Sequence, residues 1–128
     1  MKLVAVIFFT LLCSVLVDAD LGKQNAIFTL KDSIPFGDKV GHFLMYGVLA
    51  LLANFAFKFR FIWQNQTYQL GSLLVLIFSL SEEFSQLLFA TRTFSVADIM
   101  ANVVGITFFT WLSLQCGKQI PRYNTRLV

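Results

Sequence analysis

Charge is what this chain has least of: Asp, Glu, Lys and Arg make up 13% of its 128 residues, against roughly 25% in water-soluble domains. Histidine occurs once, proline twice and cysteine twice. With a single histidine and no serine–histidine–acid spacing, no nucleophilic triad is legible, and neither a glycine-rich phosphate loop nor a zinc motif is present. Cys13 and Cys116 lie inside apolar segments with neither metal spacing nor a paired framework. They read as small apolar side chains and say nothing about redox compartment. The 10 Lys and Arg residues give a net charge of +3 and a pI near 9.1. They are scattered between apolar segments without forming a basic run, which argues against nucleic acid as a partner.

Apolar side chains are abundant: 57% of residues are hydrophobic, 15 are phenylalanine, and the mean hydropathy is +0.72. A soluble domain of this length could not bury so much apolar surface, so the expected solvent is lipid. Apolar segments at residues 3–17, 40–57, 70–90 and 96–116 predict an all-α integral membrane bundle of four transmembrane helices in a single domain, 1–128. The first offers about 15 apolar residues where a span usually needs ~20. Lys2 and Val17-Asp18-Ala19 also resemble a signal peptide with its cleavage site. Retention is the expectation, and cleavage would leave three spans with the same orientation.

Lys2, Lys58, Arg60, Lys118, Arg122 and Arg126 fall on one side of the four-span scheme, and Lys23, Lys31, Lys39 and Arg92 on the other. The positive-inside rule then places both termini in the cytoplasm and the turn at residues 91–95 outside. The second span can extend through Phe61, Ile62 and Trp63 to an aromatic membrane boundary. Asp18, Leu21, Ile27, Phe28 and Ile34-Pro35-Phe36 read as a segment resting on the outer surface. Asn65-Gln66-Thr67 matches a glycosylation acceptor by three residues only, on the cytoplasmic side, and is set aside.

An acid inside a span costs ~2.5–3.5 kcal/mol on insertion scales and needs a partner, a wet cavity or a function. Glu82, Glu83 and Asp98 are the acids to explain. If the third span ends near Ala90, Glu83 lies about 10 Å below its outer end. Asp98 and Asn102 lie roughly 4–5 Å and 10 Å into the fourth span, with His42 near the level of Asp98. Helical spacing gathers Lys39, His42 and Tyr46 into one stripe, Glu83 and Gln86 into another, and Asp98, Asn102 and Gly105 into a third. Gly105 would let a neighbouring helix approach closely. Glu82, turned about 100° from Glu83, reads as peripheral.

Each residue also has a structural explanation. Asp38 suits a helix start, Ser95-Val-Ala-Asp98 fits a capping box, and Gln86 and Asn102 could be interhelical hydrogen-bond partners worth about 0.6 kcal/mol. Tyr46 could be a packing aromatic and Arg92 a lipid-phosphate contact. Such residues would be spread over many depths, and their gathering at one level favours a functional site.

The same residues resemble the VanZ-like family of small membrane proteins through two blocks. One is Asp38-Lys39-Val-Gly-His42-Phe-Leu-Met-Tyr46. The other is Glu83-Phe-Ser-Gln86 followed by Arg92-Thr-Phe-Ser95-Val-Ala-Asp98-Ile-Met-Ala-Asn102-Val-Val-Gly105. The resemblance covers residues 38–112 and implies a helical membrane domain, in the bacterial cytoplasmic membrane, whose named member is associated with resistance to teicoplanin-type glycopeptide antibiotics. Phe89-Ala90-Thr91 stands where related sequences often carry proline and glycine.

Two functions are compatible with this reading. A non-enzymatic protein would bind a membrane lipid or lipid-linked cell-wall precursor head group at an outward site. There Lys39 and Arg92 would attract phosphate while Asp38, His42, Tyr46, Glu83, Gln86, Ser95, Asp98, Asn102 and Gly105 shape the site. Alternatively, an interfacial enzyme would act on a lipid-linked or phosphorylated substrate with His42 or Glu83 as acid or base. No cofactor is expected beyond the option of a divalent metal held by Asp98 and Glu83.

Overall fold

The computed structural model describes residues 1–23, 29, 33–61 and 69–121. Its helices are α1 (Lys2–Asp20), α2 (Gly37–Ala56), α3 (Leu70–Ser85) and α4 (Val96–Gln119), with a 3₁₀ turn at Gln86–Leu88. The glycosylation match at residues 65–67, Ile27, Phe28, Lys31, Ile62, Trp63, Arg122 and Arg126 lie outside the described residues. Among the described residues, four helices are long and apolar enough to cross a membrane, counting α3 with its 3₁₀ extension as Leu70–Leu88. At 1.5 Å per residue such helices reach about 28–36 Å, which matches a hydrocarbon core of ~30 Å.

The third span is shorter than expected: regular helix stops at Ser85 rather than near Ala90. Glu83 therefore lies nearer the helix end than the sequence suggested.

Large apolar side chains such as Leu3, Leu74, Ile77, Val104 and Trp111 point outward. In water this would be an aggregation surface, whereas in a bilayer it faces its own solvent. With no hydrophobic drive between helices in lipid, small residues and polar contacts must bring them together. Helix α2 packs on α1, α3 and α4 and contributes Gly47, Ala50 and Ala53 to the buried centre. A Cβ on Gly105 would strike the Phe43 backbone carbonyl, and one on Gly71 would strike Asn54. These two glycines set how closely α4 and α3 approach α2.

Away from the predicted site, Asn54 holds the helices together. Its Nδ2 donates to Ser72 Oγ at 2.8 Å and Ser113 Oγ at 3.1 Å, and its Oδ1 accepts from the Ser72 amide at 3.0 Å. Ser72 Oγ also lies 2.6 Å from Thr110 Oγ1. Asn54 is fully buried, so each of its polar atoms needs these partners.

Candidate functional site

The end of α1, the start of α2, the end of α3 and the start of α4 meet at one end of the bundle, and the predicted polar residues gather there in two adjoining groups. The first joins α2 to α4. Asp38 and Lys39 lie in the first turn of α2, and Lys39 Nζ lies 3.1 Å from Asp38 Oδ2 and 2.5 Å from Asp98 Oδ1. One turn on, His42 Nδ1 lies 3.1 Å from Asn102 Oδ1. Because that amide oxygen can only accept, Nδ1 carries the ring proton. His42 Nε2 faces Asp98 Oδ2 at 3.8 Å. Asp98 and Asn102 are both buried. They come within reach of α2 because Gly105, one turn below Asn102, lets α4 lie against the Phe43 backbone.

The second group centres on Glu82, which the sequence reading had left peripheral. Arg92 Nη2 donates to Glu82 Oε1 at 2.9 Å, Gln86 Nε2 to the same oxygen at 3.0 Å, and the Tyr46 hydroxyl to Oε2 at 3.0 Å. The signal for it was the four-residue step to Gln86, which puts the two on one face at least as well as the three-residue step from Glu83. Arg92 also donates through Nη1 to Asp20 Oδ1 at 3.2 Å, and Thr91 Oγ1 donates to the Asp20 carbonyl at 2.6 Å. The end of α1 is thereby tied to the turn between α3 and α4. Asp20 carried no sequence signal, because it follows the stretch that resembled a cleavage site.

Glu83 is fully buried. Its Oε1 accepts the Ser95 amide at 2.7 Å and its Oε2 accepts Gln86 Nε2 at 3.2 Å. Ser95 caps α4 by accepting the Asp98 amide at 3.3 Å. In a complete capping box Asp98 would reach back to the Ser95 amide. Glu83 takes that donor instead, leaving the Asp98 carboxylate for Lys39 and His42. Among the described residues, Asp38, His42 and Asp98 form a group whose ligand atoms all lie within 4.8 Å of one another.

Between the two groups and α1 lies a cavity of about 540 Å³, within the ~300–1,000 Å³ usual for small-molecule sites. Leu12, Val15, Leu16 and Ala19 from one face of α1, with Val40, Leu44 and Met45 of α2, make an apolar wall. Asp38, His42, Tyr46, Gln86, Arg92 and Asp98 supply its polar lining. Lys23 also lines the cavity, 3.7 Å from Asp18, while Lys39 and Arg92 each touch two carboxylates.

The VanZ/LLP1 family matches residues 3–116. The chain belongs to the VanZ/LLP1 family. The match takes in α1 as well as the 38–112 stretch in which the sequence blocks lie. The chain is also 32% identical over 119 residues to an uncharacterized protein of Schizosaccharomyces pombe, covering 92% of this chain and 67% of that protein. That relative is fungal, so similarity to this VanZ/LLP1 chain is not confined to bacteria. No solved structure matches it.

Proposed function

We propose that this VanZ/LLP1 protein binds the head group of a membrane phospholipid or lipid-linked precursor in the cavity between α1 and α2, without chemical turnover. The observation that carries this reading is the cavity's mixed lining, in which aliphatic side chains of α1 and α2, suited to the upper part of an acyl chain, accompany the charged and hydrogen-bonding side chains of the site. A lipid is the ligand class that presents both chemistries at the depth where a span begins. The cations that line the cavity are Arg92, held by Asp20 and Glu82, and Lys23, beside Asp18, so a bound phosphate would have to draw one of them from its carboxylate.

Native mass spectrometry of protein extracted from membranes tests the reading. Wild type should retain phospholipid and Met45→Trp, which fills the cavity, should lose it, while Val104→Trp on the outward face of α4 retains it. Equal retention by all three would reject the cavity as the site. In a bacterial host, occupancy of lipid-linked precursor head groups would change teicoplanin susceptibility. A wild-type effect that Arg92→Ala abolishes at equal membrane expression is the expected outcome.

One observation favours a second, enzymatic reading: His42 lines the cavity with Nδ1 held by Asn102 and Nε2 turned toward Asp98. An interfacial acid–base enzyme would then use His42 rather than the enclosed Glu83. Turnover of a phosphorylated lipid that His42→Gln eliminates would establish it.

A further inference from the structure

We infer that Asp38, His42 and Asp98 form a binding site for a divalent transition-metal ion, whose place is held by the Lys39 ammonium when no ion is bound. The first ground is the imidazole. With Nδ1 engaged by Asn102 Oδ1 at 3.1 Å, Nε2 is the ring nitrogen turned toward Asp98 Oδ2, so the ring and the carboxylate face a common point that an ion could occupy. Orienting a ligating histidine through its other nitrogen is the usual arrangement at metal sites.

The second ground is the spacing. His42 Nε2 and Asp98 Oδ2 are 3.8 Å apart, too far for a charge-assisted hydrogen bond of ~2.7–2.9 Å. Bonds of ~2.0–2.2 Å to a tetrahedral ion separate neighbouring ligand atoms by about 3.3–3.6 Å. The pair therefore needs to close by only a few tenths of an ångström. Asp38 supplies a third ligand atom, all three lying within 4.8 Å of one another.

The third ground is Lys39. Its ammonium already bridges Asp98 Oδ1 and Asp38 Oδ2 at 2.5 and 3.1 Å, which shows that these oxygens converge on a cation. Its side chain is 38% exposed, so it can swing out, whereas Asp98 is fixed in a buried position. One imidazole nitrogen with two carboxylates suits Zn²⁺ and its neighbours better than Mg²⁺ or Ca²⁺. Three protein ligands would leave a position open. Under the lipid-binding reading, on which this last step alone rests, that position would receive a phosphate oxygen.

His42 is the chain's single histidine, so its ring can be observed directly. The full chain, labelled with ¹⁵N-histidine, purified through a histidine-free tag and held in phosphate-free detergent without lipid, is titrated with Zn²⁺. The expected result is a saturable shift of the Nε2 resonance with the Nδ1 proton retained. Affinity should fall about tenfold or more in Asp98→Asn and rise in Lys39→Met, which removes the competing cation. An unmoved Nε2 resonance, or an imidazole protonated on both nitrogens that Zn²⁺ does not displace, would overturn the inference. An affinity unaltered by Lys39→Met would do the same even if Asp98→Asn failed to fold. Because lipid is absent, loss of Zn²⁺ binding is distinguishable from failure of the lipid reading.

Discussion

Replacing Glu82 by alanine removes the carboxylate on which α2, α3 and the α3–α4 turn converge. The side chain is buried and accepts Tyr46, Gln86 and Arg92. Interhelical hydrogen bonds in membranes average about 0.6 kcal/mol each, which covers Tyr46 and Gln86. The charge-assisted bond from Arg92 contributes roughly 1.5–3 kcal/mol, since its donor is left with Asp20 alone. The expected loss is therefore about 3–4 kcal/mol, near the lower end of the ~3–5 kcal/mol seen when one member of a buried ion pair is deleted. A peripheral acid would cost no more than ~1 kcal/mol. Reversible unfolding by steric trapping in bicelles measures it, and a double-mutant cycle with Arg92→Ala should return a coupling of roughly 1.5–3 kcal/mol. A loss below ~1 kcal/mol, or no coupling to Arg92, would refute the placement of Glu82 at the centre of the network.

Gly105→Ala should destabilise by ~1–3 kcal/mol, because its Cβ would strike the Phe43 backbone, whereas Gly41→Ala, with nothing within 4 Å of the added Cβ, should be near neutral in the same assay. Asn54→Leu should lower stability by about 2 kcal/mol while leaving lipid retention and Zn²⁺ binding unchanged, because its partners Ser72 and Ser113 belong to a separate group. Intact-mass measurement of membrane-extracted protein should find α1 present, since it supplies Asp20 to Arg92 and the wall of the cavity. A mass lacking the first 19 or so residues would contradict that role.

The helices were legible because their apolar runs are long and broken by turn residues, and the α2–α4 group because Lys39, His42, Asp98, Asn102 and Gly105 recur at helical spacing. The rotation of α3 was not legible. Whether Glu82 or Glu83 faces α2 depends on how α3 seats against it, and that is fixed by Gly71 lying on the Asn54 backbone. Local spacing is silent about such a contact. The capping box was read from residue type alone, and the structure divides it: Ser95 caps the Asp98 amide, while Glu83, from the preceding helix, takes the other donor. Asn54, Ser72, Thr110 and Ser113 are uncharged and lie in three different apolar segments, so only the packing of those helices brings them into one hydrogen-bonded group. The expectation that Lys39 and Arg92 would stand ready for phosphate did not anticipate their carboxylate partners on other helices, Asp98 for Lys39 and Asp20 and Glu82 for Arg92.

A lipid in the cavity between α1 and α2 would lay the upper part of an acyl chain against the aliphatic side chains of the lining. Photoactivatable phosphatidylethanolamine carrying its reactive group high on the acyl chain tests it most directly, with the protein in nanodiscs and the labelled residues located by mass spectrometry. Labelling should concentrate at Val15, Leu16, Leu44 and Met45, the cavity wall, and be suppressed by Met45→Trp. Labelling confined to outward residues such as Val104 and Trp111, and indifferent to Met45→Trp, would contradict it.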